Sequence, residues 1–328
     1  MTLLNGRPAL ALALVSGVAY GLLLRAAFDW RVLDGIFEIV SYSFLVAMPF
    51  GLGALTAGLA WRSGTRDIGH LLASASIAML VFVAAMGALF IEGVICIVLV
   101  LPVFVAAACV GALLTGLAFK FTNRGGATVG AFALLPMLLA PLEQGTVATP
   151  GVGTVRTTIE VAADPEMVWA NITNVHGIKP DELGGSLMHT IGLPRPLEAR
   201  MDGDGIGASR TSRWEKGVQF KETMTQWSPP HVMSYDFDIP KGSNPRDALD
   251  RHVELGGDYF TVLRGGYVIR PSGNGGSTVE LWTTFHNKSR LELYGNLWAH
   301  VALDDFHGSI LGLVKRRSEA AVQTVSSR

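Results

Sequence analysis

The stretch VQFKETMTQWSPPHVMSYDFDI, residues 218–239, alternates along its length. Side chains of a β-strand point to opposite faces in turn, so Val218, Phe220, Glu222 and Met224 share one face. Met233, Tyr235 and Phe237 share a face of the next run. Pro229–Pro230 marks a turn between them, and the whole reads as an antiparallel hairpin with one apolar side. Glu222 is the exception on that side. If the side is buried, its carboxylate needs a partner, and Arg210 or Arg213 in the preceding run could supply one.

Similar runs lie on both sides of this hairpin. TVRTTIEV (154–161) alternates as a strand, and Asp164 then caps DPEMVWANIT, with Pro165 at the first helical position. A loop-rich stretch leads to SRTSRWEKG (209–217), where Lys216–Gly217 marks a turn. DYFTVLRGGYVIR (258–270) and TVELWTTFHN (278–287) follow the hairpin, with SGNGGS (272–277) as the turn between them. A helical pattern from about Leu291 to Val322 closes the chain, with Leu303, Phe306, Ile310 and Leu313 forming one apolar stripe. A strand, a short helix, a meander of strands and a long terminal helix make an α+β domain. A sheet curved around that helix would leave a cavity between them.

The first part of the 328-residue chain differs in kind. Residues 1–142 hold 12 charged side chains, seven basic and five acidic, while the other 41 and seven of the eight histidines lie in 143–328. Between Leu71 and Phe119 the only charge is Glu92. As a helix that run would reach roughly 73 Å, against a bilayer core of about 30 Å, so it must cross twice. Glu92, followed by Gly93, is expected at the water interface between the two spans. Neither of these spans holds a cation to pair with it. An intramembrane carboxylate would instead be a functional candidate.

Five apolar segments can be counted: Pro8–Leu24, Ile39–Trp61, Leu71–Ile91, Gly93–Phe119 and Ala127–Leu142. The small residues Gly17, Gly21, Gly53, Ala54, Ala57 and Gly58 predict close helix packing within one bundle and leave room for a homo-oligomer through the same helices. One set of loops carries Arg7, Arg62, Arg66, Lys120 and Arg124; the other carries Arg25 and Arg31, offset by Asp29 and Asp34. That bias puts the amino terminus inside the cytoplasmic membrane and, with five spans, the second part on the outer face. The last segment decides the side: it is short and holds Pro136 and Pro141, and if it lies along the interface the count becomes four and the second part is cytoplasmic. GTVATPGVG (145–153) has linker composition. The expected division is therefore a membrane region over 1–142, a linker over 143–153, a folded domain over 154–321 and a tail over 322–328.

The second part also resembles a known family. IEVAADPEMVWANIT is similar to the opening of the START-like, polyketide cyclase/dehydrase (SRPBCC) superfamily. GVQFKETMTQWSPPHVMSYDF resembles its central hairpin, in which Phe220 and Glu222 match an F-x-E pattern. GGYVIRPSGNGGSTVELWTTF resembles its penultimate hairpin, and LWAHVALDDFHGSILGLVKRRSE its terminal helix. The likeness implies a helix-grip fold around an apolar cavity for a lipid, sterol, polyketide or other hydrophobic small molecule. It also implies diverse functions, among which fold cannot choose. In such a domain some of Trp214, Phe220, Tyr235, Phe237, Tyr267, Phe285 and Trp298 line the cavity, with Met233 and Glu222 beside them.

Other constellations weigh less. His300, Asp304 and His307 share a narrow face of the terminal helix, which reads as a solvated polar face; two imidazoles and a carboxylate could also ligate zinc. Asp250 and His252 could form an oriented acid/base pair or anchor a loop. No P-loop, calcium loop or HExxH is present, no cofactor is called for, and near-zero net charge without a basic stripe gives no reason to expect nucleic acid. Cys96 and Cys109 both fall in apolar spans, so no disulfide framework exists in the second part. A membrane-anchored binder of a lipid or hydrophobic small molecule is the leading expectation. A cyclase/dehydratase using Glu222 or His252 as acid/base is the alternative, although no nucleophile–base pair is legible. A structural or signalling protein with a vestigial cavity is the third.

Overall fold

The computed structural model describes residues 6–29, 41–122, 124–143, 151–240, 244–245, 256–257 and 259–326. Ile39, Arg31, Asp34, most of the linker, Asp250 and His252 lie outside the described residues. The chain divides into two units, Met1–Ala148 and Thr149–Arg328.

The first unit holds α1 (Gly6–Phe28), α2 (Met48–Arg62, entered through a π-helical turn, Ser43–Ala47), α3 (Ile68–Ala88), α4 (Val94–Phe121) and α5 (Gly125–Leu139). Among the described residues five helical segments are long and apolar enough to cross a membrane, the last running Gly125–Glu143. Helix α2 packs against the other four. Its approach to α4 needs glycine: a Cβ on Gly53 would lie 2.0 Å from the Ala108 carbonyl oxygen, and one on Gly111 2.0 Å from that of Phe50. The small residues thus serve packing within the bundle. Helix α5 follows α2 in the opposite direction. Val129 abuts Gly58, Phe132 meets the Phe50 ring edge-on at 4.8 Å, and Glu143 accepts from the backbone N–H groups of Tyr42 and Ser43 at 3.0 and 2.7 Å. That carboxylate meets donors that the start of a helix cannot satisfy internally.

Glu92 has a partner that its two flanking spans do not hold. It does lie in the α3–α4 connection, but its side chain is covered, and Arg25 near the end of α1 donates to it from Nε at 2.9 Å and Nη2 at 2.6 Å. The partner comes from the first span, outside the two spans that flank the carboxylate.

The second unit contains β1 (Gly151–Val161), α6 (Pro165–Thr173), α7 (Leu187–Thr190), β2 (Pro196–Asp202), β3 (Ser209–Trp214), β4 (Gln219–Ser228), β5 (Val232–Asp238), β6 (Phe260–Ser272), β7 (Gly276–Asn287) and α8 (Glu292–Ser326). The strands form one sheet in the order β1-β7-β6-β5-β4-β3-β2, every neighbouring pair antiparallel. Register shifts in β2, β4 and β6 mark bulges, which bend strands. Asp164 caps α6 by accepting from the Met167 N–H at 2.7 Å. Strand β2 lies in the loop-rich stretch: a short edge strand in which Leu197, Ala199 and Met201 alternate with Glu198, Arg200 and Asp202, and whose Ala199 and Met201 pack against buried core residues. Strand β1 starts three residues earlier than the alternation does, at Gly151.

Helix α8 packs on β1, β7 and α6. The core beneath it has a small cluster of Val175, Leu183 and Leu313 and two larger ones. One joins Val168 and Ile172 of α6 to Met224, Met233, Tyr235, Tyr267, Ile269 and Leu311; the other joins Val155, Val262, Phe285, Ala299 and Leu303. Phe237, itself only partly buried, packs against both.

Candidate functional site

Alternation delivers one face of the sheet to the helix side, and the burial pattern follows it. Phe220, Glu222 and Met224 are buried on β4 while Gln219, Lys221 and Thr223 are exposed; Met233 and Tyr235 are buried on β5. Antiparallel register sets Arg210 of β3 opposite Glu222. The guanidinium donates from Nε to Glu222 Oε2 at 2.5 Å, and Nη1 donates to the Ile172 carbonyl at 2.9 Å. It lies over the Tyr235 ring at 4.9 Å and the Tyr267 ring at 5.8 Å, so the cation has aromatic faces on its remaining side. Burial pushes the Glu222 carboxyl upward against the pull of Arg210. Burial likewise pushes the Tyr267 hydroxyl up to about 12 and Tyr235 well above its usual range, so both phenols stay neutral. Arg213 plays no part here; it is exposed and pairs with Glu198 at 3.1 Å.

A second group of rings lies beside this pair. Trp214 contacts Phe220 at 6.0 Å and reaches Phe306 of α8 at 5.6 Å; Phe220 meets Phe237 at 5.6 Å, and Phe237 meets Tyr235 at 5.3 Å. These contacts run from sheet to helix, yet Trp214, Phe237 and Phe306 are only half-buried. His189 of α7 stands edge-on to Phe306 at 5.4 Å.

Of the residues singled out in the sequence, Trp214, Phe220 and Phe237 gather in this ring group. Met233, Tyr235 and Tyr267 belong to the packed cluster around Arg210. Phe285 sits apart in the other cluster, against Phe260 and the exposed His300. Trp298 is partly buried beside Tyr294, and its indole N–H has no acceptor among the described residues. Phe306 was legible as part of the helix stripe, although nothing marked it for the site. His189 had no signal at all, because it lies on a four-residue helix inside the loop-rich stretch.

The expected solvated face of α8 is corrected at His307. That imidazole is 2% exposed, and both of its nitrogens meet threonine hydroxyls, Nδ1 with Thr157 at 3.0 Å and Nε2 with Thr283 at 2.9 Å. Thr157 also donates to Asp304 at 2.7 Å. Burial pushes His307 down to about 4 against the pull of Asp304. Neutral hydroxyls therefore occupy the nitrogens that a metal would need.

No protein-family model matches the chain, and no curated protein sequence matches it. Truncated norcoclaurine synthase from Thalictrum flavum is a similar solved structure at 17% identity and TM-score 0.32, covering 52% of this chain and 97% of its own. The KanY protein is similar at 16% and 0.33, covering 52% and 99%. Protein MLL2253 from Mesorhizobium loti is similar at 15% and 0.30, covering 50% and 98%. Similarity at this level assigns neither activity nor ligand.

Proposed function

We propose that the chain is a membrane-anchored START-like protein whose second unit binds a lipid or other hydrophobic small molecule between its sheet and α8. One observation carries the reading: Trp214 of the sheet meets Phe306 of α8 at 5.6 Å and Phe237 packs against both larger core clusters, yet all three rings remain half-buried. In a filled core, large apolar rings at that depth would be covered on all sides. An enzymatic role for Glu222 is disfavoured because Arg210 already holds its carboxylate. With five crossings and the Lys/Arg bias of the loops, the second unit belongs on the outer face of the cytoplasmic membrane; a carboxyl-terminal reporter active only outside the cytoplasm checks that side.

Native mass spectrometry of the full chain released from detergent is the direct test. A co-purified apolar adduct is expected, retained less by Trp214→Ala and Phe306→Ala than by the parent. An adduct-free protein that no added lipid stabilises against heat would leave the cavity vestigial and overturn the reading.

A further inference from the structure

SLMHTIGLP, residues 186–194, is tied down at both ends. Ser186 accepts from the His189 N–H at 3.1 Å and donates its hydroxyl to Asp305 of α8. Asp305 also accepts from the N–H groups of Leu187 and Met188 at 3.0 and 3.1 Å. Beyond α7, Lys216 Nζ in the β3–β4 turn donates to the Gly192 carbonyl at 2.7 Å. Arg195 N–H donates to Glu215 Oε2 at 3.1 Å, and Glu215 N–H to the Arg195 carbonyl at 2.8 Å. The segment thus braces His189 between α8 and the end of the sheet where Trp214 stands.

The imidazole so placed is 9% exposed. Its Nδ1 lies 3.3 Å from the Leu193 carbonyl, which can only accept, so Nδ1 carries the proton. Nε2 is then a bare lone pair. It is fully covered and has no hydrogen-bond partner among the described residues, which include every segment that braces it. Buried acceptors are rarely left that way without a water or a ligand to serve them. Burial pushes the imidazole down, Arg195 acting in the same direction and Asp305 and Glu215 against it, which keeps the ring neutral at pH 7.

We propose that His189 Nε2 is the polar anchor of the ligand site, accepting a hydrogen bond from the hydroxyl of a hydrophobic molecule whose body lies against Phe306 and Trp214. The proposal rests on the binding reading above and narrows it. A phenol or alcohol fits; an ether or hydrocarbon offers no proton, and an ionised carboxylate would set acceptor against acceptor.

The test uses the full chain in lipid nanodiscs, with empty discs as the partition control, and titrates β-naphthol and its methyl ether by calorimetry. The naphthol is expected to bind about tenfold more tightly, as one net hydrogen bond allows. His189→Phe should bring it down to the ether's affinity, and His189→Gln, which restores an acceptor, should recover part of the difference. Equal affinities in the parent, or a preference that survives His189→Phe, would overturn the anchor while leaving the cavity reading intact. Failure of both probes to bind would sink both. A measurement that needs no folded variant completes it: in histidine-¹⁵N-labelled parent protein, naphthol and not the ether should shift one unprotonated Nε2 resonance, and no shift would mean that water serves His189 instead.

Discussion

Among the described residues each unit buries one arginine–glutamate pair, and the two pairs are built differently. Arg210 and Glu222 are 12 residues apart on adjacent strands, and among the described residues Glu222 is the only carboxylate paired with Arg210. Arg25 and Glu92 are 67 residues apart, and Arg25 also has Asp29 within 3.6 Å, just past the end of α1 and open to solvent. A buried cation with a single counter-charge depends wholly on it; one with a second, hydrated carboxylate does not. The same two residue types should therefore respond unequally to the same substitution.

The largest effect is expected at Glu222. Glu222→Gln keeps the shape and leaves Arg210 charged, covered and held only by the Ile172 carbonyl and two tyrosine faces. Breaking a buried pair from one side costs about 3–5 kcal/mol. Chemical denaturation of the full chain, followed by tryptophan fluorescence, which Trp214 and Trp227 report from the second unit, measures it. Replacing both partners by apolar residues, Arg210→Met with Glu222→Leu, should recover most of the loss. If Glu222→Gln instead lowered ligand retention at unchanged stability, the carboxylate would belong to the ligand.

The same contrast explains what could be read from the sequence. Period-two alternation put Phe220, Glu222 and Met224 on one face, and strand pairing is local, so Arg210 was already one of two candidate partners. Register chose between them, because Arg213 lies an odd number of residues from Arg210 and points to solvent. For Glu92 a search of the flanking spans found no cation, since helix packing brings in α1 from far along the chain and nothing periodic announces it. The terminal helix and six of seven strands were legible. Strand β2 was not, although Leu197, Ala199 and Met201 alternate with Glu198, Arg200 and Asp202, because so short a run between glycine- and proline-rich loops carries a weak period. His307 was misplaced for a related reason: a polar residue at a helix position facing Thr157 and Thr283 satisfies its nitrogens inside, and side-chain polarity alone does not show that.

His307 extends the comparison to a buried titratable group held by hydroxyls rather than by an opposite charge, and its effect should be intermediate. Its folded value of about 4 lies below the ordinary value near 6.5. The unfolded chain therefore binds the extra proton first. The stabilising preference for neutral His307 is complete above about pH 6.5 and is lost as pH falls toward 4, with an upper limit of about 3 kcal/mol. Denaturation midpoints at pH 7 and pH 4, for the parent and His307→Gln, isolate this part from the carboxylates common to both. The parent should lose more stability than the variant. Equal losses would mean that water reaches His307 between β1 and α8.

The smallest effect is expected at Glu92. Glu92→Gln removes the charge but leaves an amide oxygen that can accept from Arg25, and Asp29 remains within 3.6 Å to balance the guanidinium. What is lost is part of one charge-assisted contact, about 1–2 kcal/mol, and not the stranding of an unpaired cation. Heat-induced loss of the detergent-solubilised full chain, compared across Glu92→Gln, Asp29→Asn and the double variant, reads it directly. Each single change should lower the midpoint slightly, and the pair together should cost more than their sum, because the second removes the last carboxylate that the first left in place. If Glu92→Gln alone matched the cost of Glu222→Gln, Asp29 would not be sharing the charge. If it cost nothing, Arg25 would be hydrated at the membrane surface and Glu92 an interfacial residue after all.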